Sequence, residues 1–176
     1  YIIKNFPELK EIQIEDDNLT YSKPRAHELL DKIIEADLGL SFTTPNGIAA
    51  WVLDRPILEK LKKAGFYRLT IAVESGNQKV LHDIVKKPLQ LKKVEEVVAI
   101  SKDLGFELDT FFVVGFPGET KEQIQDTFNF ANKLNVDNAK FFIATPYPGT
   151  ELYKIAAESG YLDKSFDFHN GLSFTK

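Results

Sequence analysis

Short apolar segments alternate with amphipathic helical segments five times along this chain, and this alternation limits the folds that the chain can adopt. Strand and helix signals in this order predict βαβ units, whose strands lie parallel in one sheet with helices packed against it. We therefore predict an α/β fold with an open, barrel-like arrangement of five βα units. The predicted strands cover residues 11–15, 38–43, 67–73, 107–114 and 139–144.

Local signals mark where the predicted helices and strands begin and end. Asp54 followed by Pro56 is typical of a helix start, and Thr120 with Gln123 has the spacing of a capping box. The Pro-Asn-Gly sequence at 45–47 is a strong turn signal and predicts that the second strand ends there. These signals divide the chain into regular elements without a low-complexity linker.

Composition and charge exclude several classes of site. The 176 residues have a formal net charge of −4, which argues against a surface that binds a nucleic-acid backbone. The chain has no cysteine, so it can form neither a disulfide nor a thiolate metal site. No apolar run approaches the length of a membrane span. We expect a cytoplasmic protein that binds a small molecule and neither nucleic acid nor a membrane.

Polar or glycine-rich segments follow every predicted strand. In a parallel sheet the carboxyl ends of the strands form one rim, where the following helices also present unpaired N–H groups. Each segment alone is more typical of a helix cap or a tight turn, but five of them on one rim can converge on one ligand. The segments are 15–17, 44–47, 74–76, 115–119 and 145–149.

The side chains of this rim suit an adenosyl-type cofactor. Carboxylates and hydroxyls accept hydrogen bonds from ribose hydroxyls and from an ammonium group. The residues expected in this role are Asp16, Asp17, Glu74 and Ser75. An adenine needs a flat apolar contact and backbone hydrogen bonds. The residues expected to supply them are Val114, Gly115, Phe116, Thr145 and Pro146.

Several charged residues keep two interpretations. Asp109 lies within the fourth strand and either faces solvent or a helix, or points into the barrel interior toward a ligand. Glu119 either places negative charge at a helix start or contacts the ligand. Lys86 and Lys87 are expected to be solvated unless one of them reaches a carboxylate of the rim.

Five stretches of this chain, in this order and spacing, resemble the radical S-adenosylmethionine (SAM) enzymes. The resemblance is greatest to the branch whose members often have an amino-terminal cobalamin-binding domain. It extends from about residue 10 to residue 162. The matching stretches are 11–20, 45–47, 71–76, 112–120 and 144–153.

The resemblance implies a fold and a set of cofactors. Residues 1–162 would form strands two to six of a six-stranded, TIM-like (β/α) barrel, and residues 163–176 would be an extension packed on it. The rim residues named above would contact SAM: Asp16 and Asp17 at the methionyl amino group, Glu74 and Ser75 at the ribose and methionyl part. Residues 114–116 and 145–146 would contact the adenine.

The cysteines with which this family binds its iron–sulfur cluster are absent from this chain. Family members hold a [4Fe–4S] cluster with a Cys-x₃-Cys-x₂-Cys loop after their first strand, and this chain has no cysteine. We therefore expect the cysteine loop upstream in a longer parent protein that cleaves SAM to start radical chemistry on an unknown substrate. Cobalamin, where used, would bind in another domain, and this chain alone would be inactive. No metal ligand is assigned within it.

Two other functions remain open on the residues. One is a barrel-like binding protein without catalysis, which the absence of cysteine favours. The other is an unrelated TIM-type enzyme that uses Glu15, Asp17 and Glu74 for acid–base or metal chemistry. In every case the edge of the first strand, at 11–15, is expected to be exposed, and an unpaired edge favours association with another chain.

Overall fold

The computed structural model describes residues 2–16 and 18–162, so Asp17 and the expected extension at 163–176 lie outside the described residues. The chain divides into two compact units, one ending at Ile143 and the other beginning at Ala144. The first unit contains a parallel five-stranded sheet in which the strands are adjacent in chain order. The strands are β1 Glu11–Gln13, β2 Ser41–Ile48, β3 Phe66–Glu74, β4 Glu107–Val114 and β5 Asn138–Ile143.

Helical segments connect each strand to the next, which confirms the predicted partial, TIM-like (β/α) architecture. A short helix α1, Ile2–Asn5, precedes the sheet, and a π-helical turn, Val80–Ile84, precedes α4. The connecting helices are α2 Lys23–Ala36, α3 Arg55–Lys63, α4 Leu91–Asp103 and α5 Lys121–Lys133. The second unit contains α6, Glu151–Glu158. None of the helices in the described part of the chain is long and apolar enough to cross a membrane.

The hydrophobic core lies between the helices and one face of the sheet. Successive strand residues point to opposite faces, so every second residue of a central strand is buried under the helices. On β4 these are Leu108, Thr110 and Phe112, each fully buried. The helices contribute apolar side chains such as Leu30 and Ile57 to the same core. Asp109 alternates with these residues along β4 and therefore points to the opposite face of the sheet.

Two predicted helix starts are confirmed by their hydrogen bonds. Asp54 accepts a hydrogen bond from the N–H of Ile57, with the Oδ1–N distance at 3.1 Å. Thr120 accepts from the N–H of Gln123, and the Gln123 side chain accepts from the N–H of Thr120 at 2.8 Å. These reciprocal bonds satisfy N–H groups that the first helical turn leaves unpaired.

The prediction that Pro45-Asn46-Gly47 ends the second strand is wrong. β2 continues to Ile48, and the sequence forms a bulge: Thr44 pairs with Leu69 and Ile48 with Ile71, so β2 has two extra residues. The bulge preserves pairing because the Thr44 hydroxyl accepts the N–H of Thr70 at 3.2 Å. A local turn signal was thus overridden by pairing with the neighbouring strand.

Candidate cofactor-binding site

Glu74 ends β3 at the carboxyl-end rim and has an unusual backbone conformation. Its φ is +75°, which a non-glycine residue adopts rarely and at a cost of the order of 1 kcal/mol or more. Its Oε1 lies 2.9 Å from Lys87 Nζ, and Oε2 has no hydrogen-bond partner among the described residues. About a quarter of the side chain, 27%, is exposed. The carboxylate is therefore held in place by one oxygen while the other can accept a hydrogen bond from a ligand.

Three contacts hold the Lys87 ammonium group beside this carboxylate. Besides Glu74, its ammonium group donates to the carbonyl oxygen of Ala72 at 2.8 Å and lies 5.4 Å from the centroid of the Trp51 ring. Only 12% of the Lys87 side chain is exposed. The expectation that Lys87 is solvated is therefore wrong: it reaches the rim carboxylate of Glu74, which was the alternative, and orients it.

Ser75 lies directly after Glu74 and is fully buried. Its hydroxyl is 3.1 Å from the hydroxyl of Thr127 on α5 and accepts from the N–H of Asn77 at 3.1 Å. The N–H of Gly76 donates to the same Thr127 oxygen at 3.0 Å. The Ser75 hydroxyl is therefore engaged within the protein, where it joins the rim turn to α5, and a ligand would meet the backbone of this turn.

The loop after β4 is organised by a carboxylate. Glu119 Oε2 accepts from the N–H of Gly115 at 2.7 Å and from the N–H of Phe116 at 3.1 Å. Gly115 has a φ of +82°, a conformation that favours glycine. Because both N–H groups are occupied, a ligand at residues 114–116 would meet apolar surface and carbonyl oxygens. This bond to the loop is a third role for Glu119, which sequence reasoning did not consider.

The structure brings two of the predicted segments together. β3 and β4 are neighbours, and Glu74 pairs with Phe112 two residues before Val114, so the Glu74 carboxylate and the 114–116 loop share one end of the sheet. Asp16 follows β1 at the sheet edge, where its Oδ1 accepts from the N–H of Asn18 at 2.8 Å. Thr145 and Pro146 belong to the second unit, where both are partly buried ahead of α6.

Asp109 takes the inward of its two predicted orientations. It is 5% exposed, and it lines a pocket on the face of the sheet that lies away from the helices. Its carboxylate accepts from Asn138 Nδ2 and Lys140 Nζ, each at 2.9 Å. Burial alone would raise the pKa of Asp109, but these two hydrogen bonds and the charge of Lys140 outweigh it and lower the pKa.

The described residues give no support to a metal site. Within 2–16 and 18–162, no three His, Cys, Asp or Glu side chains are grouped as metal ligands. Asp17, one of the three carboxylates in the metal-based alternative, lies outside the described residues. The cysteine-free chain also has no thiolate for an iron–sulfur cluster, so the cluster does not fit the residues present.

Comparison with known proteins identifies the family. The sequence profile of the Radical SAM superfamily matches residues 2–131. The chain therefore belongs to the radical SAM superfamily, which confirms the resemblance drawn from its motifs.

Two curated relatives are methyltransferases. The cytidylyl-2-hydroxyethylphosphonate methyltransferase of Streptomyces wedmorensis is 34% identical over 161 residues, which cover 88% of this chain and 30% of that protein. An uncharacterized methyltransferase of Pyrococcus horikoshii is 31% identical over 154 residues, covering 88% of this chain and 33% of that protein. The chain thus spans about a third of the length of these relatives.

A solved structure shows the shared fold. The radical SAM methyltransferase TsrM from Kitasatospora setae, with cobalamin and a [4Fe–4S] cluster bound, superimposes with a TM-score of 0.77. The superposition covers 89% of this chain and 32% of that one, at 16% sequence identity.

Proposed function

We propose that this chain supplies the SAM-binding part of a radical SAM catalytic domain and that the parent protein performs SAM-dependent radical or methyl-transfer chemistry on a small molecule. The observation that supports this most is the Glu74 carboxylate, which Lys87 holds by one oxygen at the carboxyl-end rim while the other stays available. Membership of the superfamily gives the cofactor class.

The groups on the rim suit the organic parts of SAM. Glu74 Oε2 would accept from a ribose hydroxyl, and charge-assisted bonds of this kind are among the stronger hydrogen bonds in proteins. Val114, Gly115 and Phe116 would contact the adenine through apolar surface and carbonyl groups. Asp16 and Asp17 would face the methionyl ammonium, while Ser75 would hold the rim turn. Thr145 and Pro146 remain proposed adenine contacts on the family resemblance alone.

The cluster would be held by cysteines outside this sequence. When bound together, the cluster and SAM supply the reductive cleavage that starts radical chemistry in this family. The residues of this chain would bind and orient the cofactor, and the chain alone would be inactive because it has no thiolate. The reduction requires a reducing compartment, which favours the cytoplasm.

The remaining assignments concern parts beyond the rim. Cobalamin would bind in a separate domain of the parent; the TsrM structure, to which this chain is similar in fold, contains bound cobalamin. Residues 1–162 would form the barrel part, with 163–176 as an extension packed on it. β1 is an edge strand of the sheet, so residues 11–15 would pair with a further strand or with another chain.

A second candidate function is a binding protein that has lost catalysis, and the absence of cysteine favours it. Calorimetry with SAM separates two versions of it, because a retained cofactor site binds SAM and a bare scaffold does not.

The decisive experiment for the first proposal uses the full-length gene product. After anaerobic reconstitution with iron and sulfide, the protein should form 5′-deoxyadenosine from SAM under reducing conditions. Glu74→Gln should raise the KM for SAM about tenfold, whereas Glu96→Gln, an exposed carboxylate on α4, should leave it unchanged. A full-length protein that lacks the cysteine loop, or that forms no 5′-deoxyadenosine, would overturn the proposal.

A further inference from the structure

A polar pocket lies at the opposite end of the strands from the cofactor rim. It has a volume of about 150 Å³, and its lining residues come from all five strands. In a flat sheet β1 and β5 would be about 19 Å apart, so a single pocket touched by both requires the sheet to curve. We call it the amino-end pocket, and the residues that matter here are Glu11, Thr43, Tyr67, Arg68, Asp109 and Lys140.

The positive charges of the amino-end pocket are already paired. Arg68 Nε lies 2.9 Å from Oε2 of Glu107, and Lys140 Nζ lies 2.9 Å from Oδ2 of Asp109. An anionic ligand at either cation would therefore also lie beside a carboxylate that repels it.

Glu11 is different, because its carboxylate has only neutral donors. Tyr67 donates its hydroxyl proton to Oε2 at 2.8 Å, and Gln13 donates to Oε1 at 3.3 Å. Among the described residues, Glu11 forms no ion pair. When Glu107, the partner of Arg68 outside the lining, is counted, three carboxylates face two cations, and Glu11 is the carboxylate with spare acceptor capacity.

Thr43 provides an independent sign of a missing partner. It is 6% exposed and lines the amino-end pocket, and its Oγ1 has no hydrogen-bond partner among the described residues. Buried hydroxyls in native proteins are nearly always hydrogen-bonded, so an unpaired one calls for an explanation. A bound polar group would supply the missing bond once the Thr43 side chain turns its hydroxyl toward the pocket, since Oγ1 is buried in the observed orientation.

On β4 and β5, the sheet face between this pocket and the rim is apolar. Asp109, Phe111 and Val113 alternate with the buried residues of β4 and share one face. The Phe111 ring packs edge-on against Phe142, which is 50% exposed. Val114 lies five residues beyond Asp109, so the rim is about 16 Å from the pocket along the strand.

We infer that the amino-end pocket binds the protonated amine of an elongated substrate whose apolar body lies along Phe111 and Phe142. The amine would bond to Glu11 and complete the hydrogen bonding of Thr43. The carbon that reacts would then lie about 16 Å away, at the rim. This inference rests on the proposed function, because it places the substrate on the inner face of the same sheet.

Three probes of equal length test the charge preference: hexylamine, 1-hexanol and hexanoate. In NMR titrations of the 176-residue chain, hexylamine should shift the signals of Glu11 and Thr43 and bind about tenfold more tightly than hexanol. Hexanoate should show no saturable binding. These titrations need neither SAM nor a cluster, so their outcome is separate from that of the cofactor proposal.

Variants locate the effect. Glu11→Gln should remove the preference for the amine, while Glu8→Gln, an exposed carboxylate near β1, should retain it. Thr43→Val should weaken amine binding severalfold without lowering the unfolding midpoint, because its hydroxyl has no partner within the described residues. Tight hexanoate binding, an amine preference that survives Glu11→Gln, or no binding of any probe would overturn the inference.

Discussion

Gly76 is the point at which the rim turn meets α5, and replacing it with alanine tests how that turn is held. An added Cβ would lie 2.5 Å from the Cβ of Phe130 and 2.7 Å from the Cα of Thr127. Carbon atoms in contact normally stay about 3.5–4.0 Å apart. The second obstacle is backbone, so α5 itself has to move by about 1 Å before alanine fits.

The cost follows from the overlap and from the hydrogen bonds that cross the same contact. Overpacking of a close-packed site costs about 1–3 kcal/mol. The bonds of Ser75 and Gly76 to Thr127 lengthen when α5 moves, which costs about 1 kcal/mol more. We expect Gly76→Ala to lower the free energy of unfolding by about 2–4 kcal/mol.

Urea denaturation followed by circular dichroism measures this loss. With a slope of about 2 kcal/mol per molar urea, the midpoint should fall by about 1–2 M. Gly39→Ala is the matched control, because Gly39 has a φ of +64° and nothing within 4 Å of an added Cβ. This variant should lose only the backbone strain of about 1 kcal/mol from its free energy of unfolding. Equal losses in the two variants would refute the packing argument.

Three further perturbations test the contacts around the site. Lys87→Met should lower the free energy of unfolding by about 2 kcal/mol in urea titrations, because it leaves the Glu74 carboxylate unpaired. The double variant with Glu74→Gln should lose less free energy than the two single variants added together. Glu119→Ala should speed hydrogen exchange of the Gly115 amide at least tenfold, and an unchanged rate would disprove the loop bond. Asp109→Asn should destabilise the chain at pH 7. Because the folded-state pKa of Asp109 is lowered, the difference in unfolding free energy between wild type and variant should shrink as pH falls below about 4. A difference that persists in acid would contradict this.

The helices and strands could be predicted from the sequence because their signals are local. The capping box at Thr120 predicts a helix start and the apolar run of β4 predicts a strand, each from residues that are neighbours in sequence. The 45–47 segment could not be predicted, because its strand pairing depends on Thr70 and Ile71, which are distant in sequence. The same reason explains Glu119, whose carboxylate bonds backward to Gly115 rather than only marking a helix start.

The position of the candidate site could be predicted from the sequence, but the hydrogen bonds of its side chains could not. The order of the strands alone placed Glu74 and the 114–116 segment at one rim, since parallel strands end on the same side. Sequence reasoning assigned Ser75 to the ligand, but burial against Thr127 engages its hydroxyl within the protein. Lys87 was expected to be solvated, and its pairing with Glu74 could not be predicted because the distance between them depends on the course of the intervening π-helical turn.

We propose that the carboxyl ends of β3 and β4 bind the organic part of SAM. The most direct measurement is an NMR titration of the chain with SAM, with backbone amide signals assigned. We expect saturable shift changes at Glu74 and around Gly115, which Glu74→Gln removes and Glu96→Gln keeps. A binding free energy of about −5.5 kcal/mol corresponds to a Kd of about 0.1 mM, so SAM at about 10 mM is roughly 100-fold above it. Shift changes confined to other surfaces, or no shift changes up to that concentration, would contradict this proposal.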